Sequence, residues 1–363
     1  MKRIVILCDG TWNSPDIEDT THLPELALTL ETSSRQVVKY FSGVGVNDDA
    51  RFSNIVTRGV NRVLGGATGY GLGAKVKAAY AAIAEIYEPD DEIYLFGFSR
   101  GAFTARSVAG MIRKCGIIDD LSKRGIRRAF RLYRKRGEGN APDAPGIQAA
   151  RAAMSTRFAT SQDDSDARAT PVPIVNIAYL GVWDTVGARG IPTALFGAVA
   201  SLWNRQYQFH DTTLSRLVRS ARHAVAADEQ RRFYEPALWD NVDRLSGSAP
   251  PDDAPYQQRW FVGDHSIVGG SAKTDALSVF PKLWVVEGAP DLTWRPGKAP
   301  GADGADHRFA TRRLIDPGGF YKLALSLLDW RRDPTEMTRL HDSTAARLRD
   351  LPDYRPESLA RFF

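Results

Sequence analysis

Asp91-Glu92-Ile93-Tyr94-Leu95-Phe96-Gly97-Phe98-Ser99-Arg100-Gly101-Ala102-Phe103 is the stretch whose reading decides the fold. The apolar run Ile93 to Phe96 predicts a buried strand, and Ala102 to Arg113 carries Phe103, Val108, Met111 and Ile112 at helical spacing. Between them stands Gly97-Phe98-Ser99-Arg100-Gly101, a G-x-S-x-G in the strand–turn–helix context of a nucleophile elbow. A turn that sharp leaves no room for side chains at its flanks, and two glycines meet that demand. The serine then projects above the sheet edge with its oxygen near a helix N-terminus. Without the flanking strand and helix, the same five residues read as a glycine-rich turn.

Outward from this stretch, other elements follow. Ile4 to Cys8 is a continuous apolar run, the pattern of a strand covered on both faces, and Val37 to Phe41 predicts a second strand. A glycine loop, 65–73, opens a helix from about Ala74 to Tyr87. Ser122 to Gly137 reads as a helix with Ile126, Phe130 and Tyr133 on one side and eight Lys or Arg on the rest. That surface is a solvated face over an apolar stripe, or a surface for anionic lipid or nucleic acid. Ser155 to Pro173 is polar and reads as a surface loop or a disordered insertion. Ile174 to Val182 is a further strand, Thr213 to Ala227 is expected as a helix, Trp260 to Gly263 as a short strand and Leu283 to Val286 as another; Phe320 to Trp330 reads as an amphipathic helix. Strands alternating with helices predict a mostly parallel sheet covered on both faces.

Composition sets bounds. At 363 residues the chain can bury a full core, and a net charge of +5 is only mildly basic. It permits attraction to an anionic membrane surface without demanding nucleic acid, and none is expected as a partner. Cys8 and Cys115 lie in apolar contexts and read as buried free thiols of a reducing compartment. The run before Asp9 is too short for a signal peptide, and no run reaches a membrane span, so a cytoplasmic chain is expected, with signal-independent export left open. Oligomeric state is not legible.

A serine needs a base to take its proton and a carboxylate to orient that base. Of the six histidines, His265 alone stands directly after a predicted strand, in Gly263-Asp264-His265-Ser266; His210 and His223 flank or ride a predicted helix and read as structural. Asp184 likewise follows a strand, after Tyr179-Leu180-Gly181-Val182-Trp183. Its rivals are Asp211 as a helix cap, Asp228 as a helix-end charge, and Asp264, whose side chain should point away from its neighbour His265. The oxyanion donors expected are the backbone N–H of Arg100 and that of Gly10 or Thr11, on the loop after the strand beside the elbow. Asp9 is either a turn carboxylate or a catalytic or ion-binding group. The aromatic segment Ile191 to Phe209, with Phe196, Trp203 and Tyr207, is either ordinary core or a cap lining an acyl pocket. Other motifs fail: the Asp9-Gly10-Thr11 loop would put Leu7 where a phosphatase nucleophile belongs, the glycine loop lacks a P-loop Gly-Lys-Ser/Thr, and no residues have zinc-site spacing.

Four stretches, Cys8 to Asn13, Leu95 to Arg106, Gly181 to Gly187 and Trp260 to Ser266, together resemble the DUF2235 family. His223 to Glu229 and Leu351 to Pro356 add to the likeness, which runs nearly end to end. The resemblance implies an α/β-hydrolase fold and kinship with the catalytic part of phospholipase effectors of bacterial type VI secretion. It implies the same three residues, Ser99, Asp184 and His265. The chain departs from the family where Ile267 replaces the Asp of its His-Ser-Asp-Val-Gly-Gly pattern, and where Gly73 to Val76 lacks an acidic residue.

The reading that results is an α/β-hydrolase-like, mostly parallel sheet with helices on both faces and a helical and loop cap. One domain spans 1–363, with 122–170 and 191–258 as cap or insertion regions. Its expected activity is hydrolysis of carboxylic esters, lipid or phospholipid acyl esters above all, without cofactor or metal. The alternative is an idle member of the fold that holds an anionic partner through the basic helix.

Overall fold

In the computed structural model, residues 1–10, 21–43, 71–186, 213–229, 234–270, 275–309 and 339–362 are described. Six strands form one sheet: β1 (Arg3–Cys8), β2 (Gln36–Phe41), β3 (Glu92–Phe98), β4 (Ile177–Trp183), β5 (Val218–Ala226) and β6 (Tyr256–Phe261). Their order is β2-β1-β3-β4-β5-β6, and every adjacent pair is parallel. Parallel strands need helical crossovers, and these cover both faces. The helices used below are α1 (His22–Thr29), α2 (Leu72–Ile86), α3 (Arg100–Cys115), α4 (Lys123–Tyr133), α5 (His265–Gly269), α6 (Asp275–Glu287) and α7 (Asp342–Asp350).

The continuous apolar runs now have their reason. Ile4 and Ile6 of β1 pack with α2, α3 and α4, while Val5 and Leu7 face the opposite layer with α1 and α6. A strand with two dry faces cannot alternate polar and apolar residues. Because all six strands run the same way, their carboxyl ends share one edge. Asp9, Ser99, Asp184, Asp228 and the turn before His265 all lie there. The architecture is α/β-hydrolase-like, as expected.

Several expected elements differ. Residues 218–226 are strand β5 within the sheet and not helix, so that part of 191–258 is not cap. Arg219 and Arg222, three apart, imitate a helical polar face, but Val218, Ala221 and His223 to Ala226 are buried on both sides. Leu283 to Val286 belong to α6; a short apolar run has no period of its own to separate the two states. Residues 155–173 are not a disordered insertion. Phe158 and Ala159 are buried, and Asp164 binds the buried Arg151 at 2.8 Å. Residues 122–170 do not cap the carboxyl edge as a unit, since α4 packs onto the helix layer: Cys115 Sγ at the last turn of α3 donates to the Ala129 carbonyl at 3.2 Å. α4 buries Ile126, Ala129 and Tyr133 and leaves Lys123, Arg124, Arg127, Arg128 and Arg131 exposed. Phe320 to Trp330 lies outside the described residues. Among the described residues no helix is long and apolar enough to cross a membrane.

Candidate active site

The elbow is sterically locked. A Cβ on Gly97 would come within 2.5 Å of the Gly101 carbonyl oxygen, and one on Gly101 within 2.1 Å of the Cys8 carbonyl oxygen at the end of β1. Glycine is required at both places because backbone passes through the space a side chain would fill. Ser99 itself sits at φ 57°, ψ −121°, backbone that a non-glycine residue adopts only when its surroundings enforce it. They do so: Ser99 N–H donates to Trp183 O at 3.1 Å, and Ser99 O accepts from Phe103 N–H at 3.2 Å as α3 begins. Its hydroxyl therefore stands at the N-terminal end of a sixteen-residue helix, where partial positive charge favours an alkoxide or oxyanion.

Asp184 follows β4 at φ 39°, with no exposed surface. Its N–H donates to Ala224 O at 2.7 Å, and its Oδ1 accepts Ala226 N–H at 3.0 Å. Both partners lie on β5, the neighbouring strand. Oδ2 is left for His265 Nδ1, 2.5 Å away. His265 Nε2 lies 2.8 Å from Ser99 Oγ. With a carboxylate at Nδ1, the proton belongs on that nitrogen and the Ser99 hydroxyl donates to Nε2. The imidazole is packed between Phe98 and Tyr234, ring centroids 4.6 and 4.5 Å from its own. The three residues come from sites 166 and 81 positions apart, and the parallel sheet joins them.

The expected oxyanion donors are less complete. Arg100 opens α3 directly after Ser99; its guanidinium is pulled down to about 10 by burial, which Tyr234 partly offsets. Gly10 N–H is turned onto Asp9 Oδ1 at 2.7 Å, and Thr11 lies outside the described residues. Asp9, nearly buried, also accepts the Thr21 and Tyr40 hydroxyls at 2.7 Å each. The Gly10 N–H contact is the kind that a turn carboxylate makes. Phe196, Trp203 and Tyr207 lie outside the described residues, as do His210 and Asp211.

The remaining rivals are occupied elsewhere. Asp264 caps α5 through Ile267 N–H at 2.9 Å, so it does point away from the imidazole. His22 is buried beneath this turn with Nε2 3.1 Å from Val268 O, and burial pulls it down to about 3. His341 caps α7, and burial lowers it to about 4. His307 pairs with Asp350 at 2.9 Å. His223 is structural, but on β5 rather than a helix: Nε2 accepts Thr185 N–H at 3.1 Å, and Nδ1 faces Gln258 Oε1 at 2.9 Å. It braces the turn next to Asp184. Asp228 is not a helix-end charge either; it accepts Gly263 N–H at 2.7 Å. Beside it, fully buried Glu229 accepts His265 N–H at 3.2 Å, a contact the sequence reading missed. The available signal was an acidic pair immediately after an apolar run. Both cysteines are buried, with thiols pushed up to about 12 by burial. Among the described residues no cluster of three or more His, Cys, Asp or Glu could hold a metal ion.

A family model described as "T6SS, Phospholipase effector Tle1-like, catalytic domain" matches residues 2–288. The chain belongs to this Tle1-like family. The match takes in all six strands together with Ser99, Asp184 and His265, and leaves residues 339–362 outside it. An uncharacterized protein of Saccharomyces cerevisiae, YEL023C, is 28% identical over 240 residues, covering 64% of this chain and 32% of that protein. Two solved structures are also similar. One is the Tle1 effector bound to the VgrG spike of the type 6 secretion system, at TM-score 0.35 and 16% identity, over 74% of this chain and 51% of that one. The other is an uncharacterized protein from Pseudomonas aeruginosa, at TM-score 0.41 and 16% identity, over 79% of this chain and 46% of that one. The chain thus spans about a third of the yeast protein and about half of each solved chain.

Proposed function

We propose that this Tle1-like chain is a serine hydrolase of lipid acyl esters, phospholipids included. The observation that carries the reading is the continuous chain from Ser99 Oγ to His265 Nε2 at 2.8 Å and from His265 Nδ1 to Asp184 Oδ2 at 2.5 Å. Ser99 Oγ attacks the ester carbonyl as His265 Nε2 takes its proton. The tetrahedral oxyanion is stabilised by the Arg100 N–H and the N-terminus of α3, with Gly10 N–H joining once it leaves Asp9. His265 returns the proton to the departing alcohol, leaving an acyl-Ser99 ester. Water, deprotonated by the same imidazole, then releases the acid and restores the serine. Asp184 keeps the tautomer and stabilises the imidazolium throughout. Family membership supports the lipid substrate.

The test is one assay set. A fluorophosphonate should label the wild type and not Ser99→Ala, whose turnover should fall by roughly 10⁴–10⁶. A four-carbon extension of the acyl chain should gain up to about a hundredfold in specificity constant if Phe196, Trp203 and Tyr207 line an acyl pocket, at ~0.8 kcal/mol per buried methylene, so a series from acetate to palmitate should favour the medium or long esters. Activity surviving Ser99→Ala sinks the serine mechanism, and a flat series removes the acyl pocket.

The exposed arginines of α4 support a second element, peripheral contact with an anionic membrane surface. Salt-sensitive co-sedimentation with phosphatidylglycerol vesicles, absent with phosphatidylcholine, is the expected result; equal binding to both would remove it.

A further inference from the structure

The turn that carries His265 has little of its own to hold it. It follows Gly263 at φ 110° and begins a helix of only five residues, too short to be stable by itself. Yet the imidazole must keep a hydrogen bond at each nitrogen, and a displacement of an ångström at a reacting group can cost about a hundredfold in rate. The support comes from the end of β5. Asp228 Oδ2 accepts Gly263 N–H at 2.7 Å, and Glu229 Oε2 accepts His265 N–H at 3.2 Å. The two carboxylates grip the backbone on either side of Asp264. Burying Glu229 completely is costly unless its oxygens are engaged, and the first-turn N–H of α5 is a donor with no partner inside so short a helix.

Asp228 is itself held. The Tyr354 hydroxyl donates to its Oδ1 at 2.8 Å. Tyr354 belongs to the segment 339–362, beyond the part of the chain that the family model matches. That segment is fastened along β6 and β5: His341 N–H donates to Trp260 O at 3.0 Å, Val262 N–H to Thr344 Oγ1 at 3.1 Å, and Ser358 Oγ to Ala227 O at 2.5 Å. Leu340 and Leu359 are buried with Val225 and Trp260. The tail is therefore part of the packed sheet edge, and its tyrosine reaches the carboxylate that grips the histidine turn.

We propose that Asp228 and Glu229 are positioning residues for His265, and that Tyr354 makes the C-terminal segment part of that positioning. The proposal rests on the serine-hydrolase reading. Its test uses the full chain and a small soluble ester, p-nitrophenyl butyrate, with kcat and KM determined separately and thermal melts recorded. Glu229→Ala should lower kcat roughly 10- to 100-fold with KM within about twofold, because substrate contacts are untouched while the base is misplaced. Glu229→Gln keeps an acceptor and should stay within about threefold of wild type. Tyr354→Phe removes one hydroxyl and should lower kcat roughly three- to tenfold, with little change in KM or melting temperature. Wild-type kcat in a folded Glu229→Ala, or a loss in either variant that falls only on KM, overturns the proposal. Should Glu229→Ala not fold, Tyr354→Phe decides, and an unchanged kcat there overturns it. Turnover that survives Ser99→Ala would instead overturn the serine reading and this proposal together, so the two failures are told apart.

Discussion

Ser99 and His265 meet at 2.8 Å, but the turns that present them are held in different ways. The elbow is fixed by exclusion: Gly97 meets the backbone of Gly101, Gly101 meets the end of β1, and Ser99 between them is held at φ 57°. The histidine turn is fixed by attachment: Asp228 and Glu229 reach over from β5 and hold its N–H groups, and Asp264 caps it from within. Asp184 lies between these cases, held by two backbone bonds to β5. Steric locking uses the motif's own glycines, with the end of β1 closing on one of them. Attachment depends on which strand happens to be the neighbour.

The largest expected effect concerns the acids around the histidine. Asp184→Asn should lower kcat by roughly 10³–10⁴, because an amide at Nδ1 favours the wrong tautomer. Asp264→Asn should cost less than about tenfold, since asparagine caps a helix about as well as aspartate. Steady-state kinetics on a soluble ester would separate them; the reverse order would mean that the acid is misassigned. Next comes the steric lock. Gly101→Ala should destabilise the fold by about 3 kcal/mol or more, as its Cβ meets backbone that cannot move aside. Gly146→Ala, where nothing lies within 4 Å, should be neutral or slightly stabilising. Urea midpoints that match for the two variants would show that the elbow is looser than its geometry.

The smallest effect is in the attachment itself. Burial raises the Asp228 carboxyl from 3.8 to about 6, against the lowering by Tyr354 and the Gly263 N–H. A carboxyl raised on folding binds its proton more tightly in the native state, so its stabilising contribution is full below pH 4 and is lost as pH rises through 6. Asp228→Asn cannot lose it. Relative to that variant, the wild type should therefore lose stability on the order of 1–3 kcal/mol between pH 4 and 7. Melting temperatures of both proteins across that range would check it, and parallel curves would remove Asp228 as the cause.

The same contrast explains what could be read in advance. The elbow, the flanking strand and helix, and the dry strand Ile4 to Cys8 announce themselves through residues adjacent in sequence. The meeting of Asp184 and His265 with Ser99 could be expected because each follows an apolar strand, and parallel strands bring their ends to one edge. β5 was missed as a strand because its two arginines fall at helical spacing, and with it went the reason for His223, Asp228 and Glu229. Gly10 follows β1, the strand beside the elbow strand, but its N–H is engaged by Asp9, which no spacing could tell.

Sequence by itself determined the alternation of strands and helices, the tight serine turn and the types of residue able to act there, since these follow from sterics and hydrophobic period within a few residues. Only the tertiary structure decided the strand order, and through it which carboxylate faces which N–H. Asp228 is 35 positions from Gly263 and 126 from Tyr354, and such pairings exist only once β5 lies beside β6 and the tail packs along their edge. A hydrogen bond acts over about 3 Å, so partners remote in the chain leave no trace in local pattern.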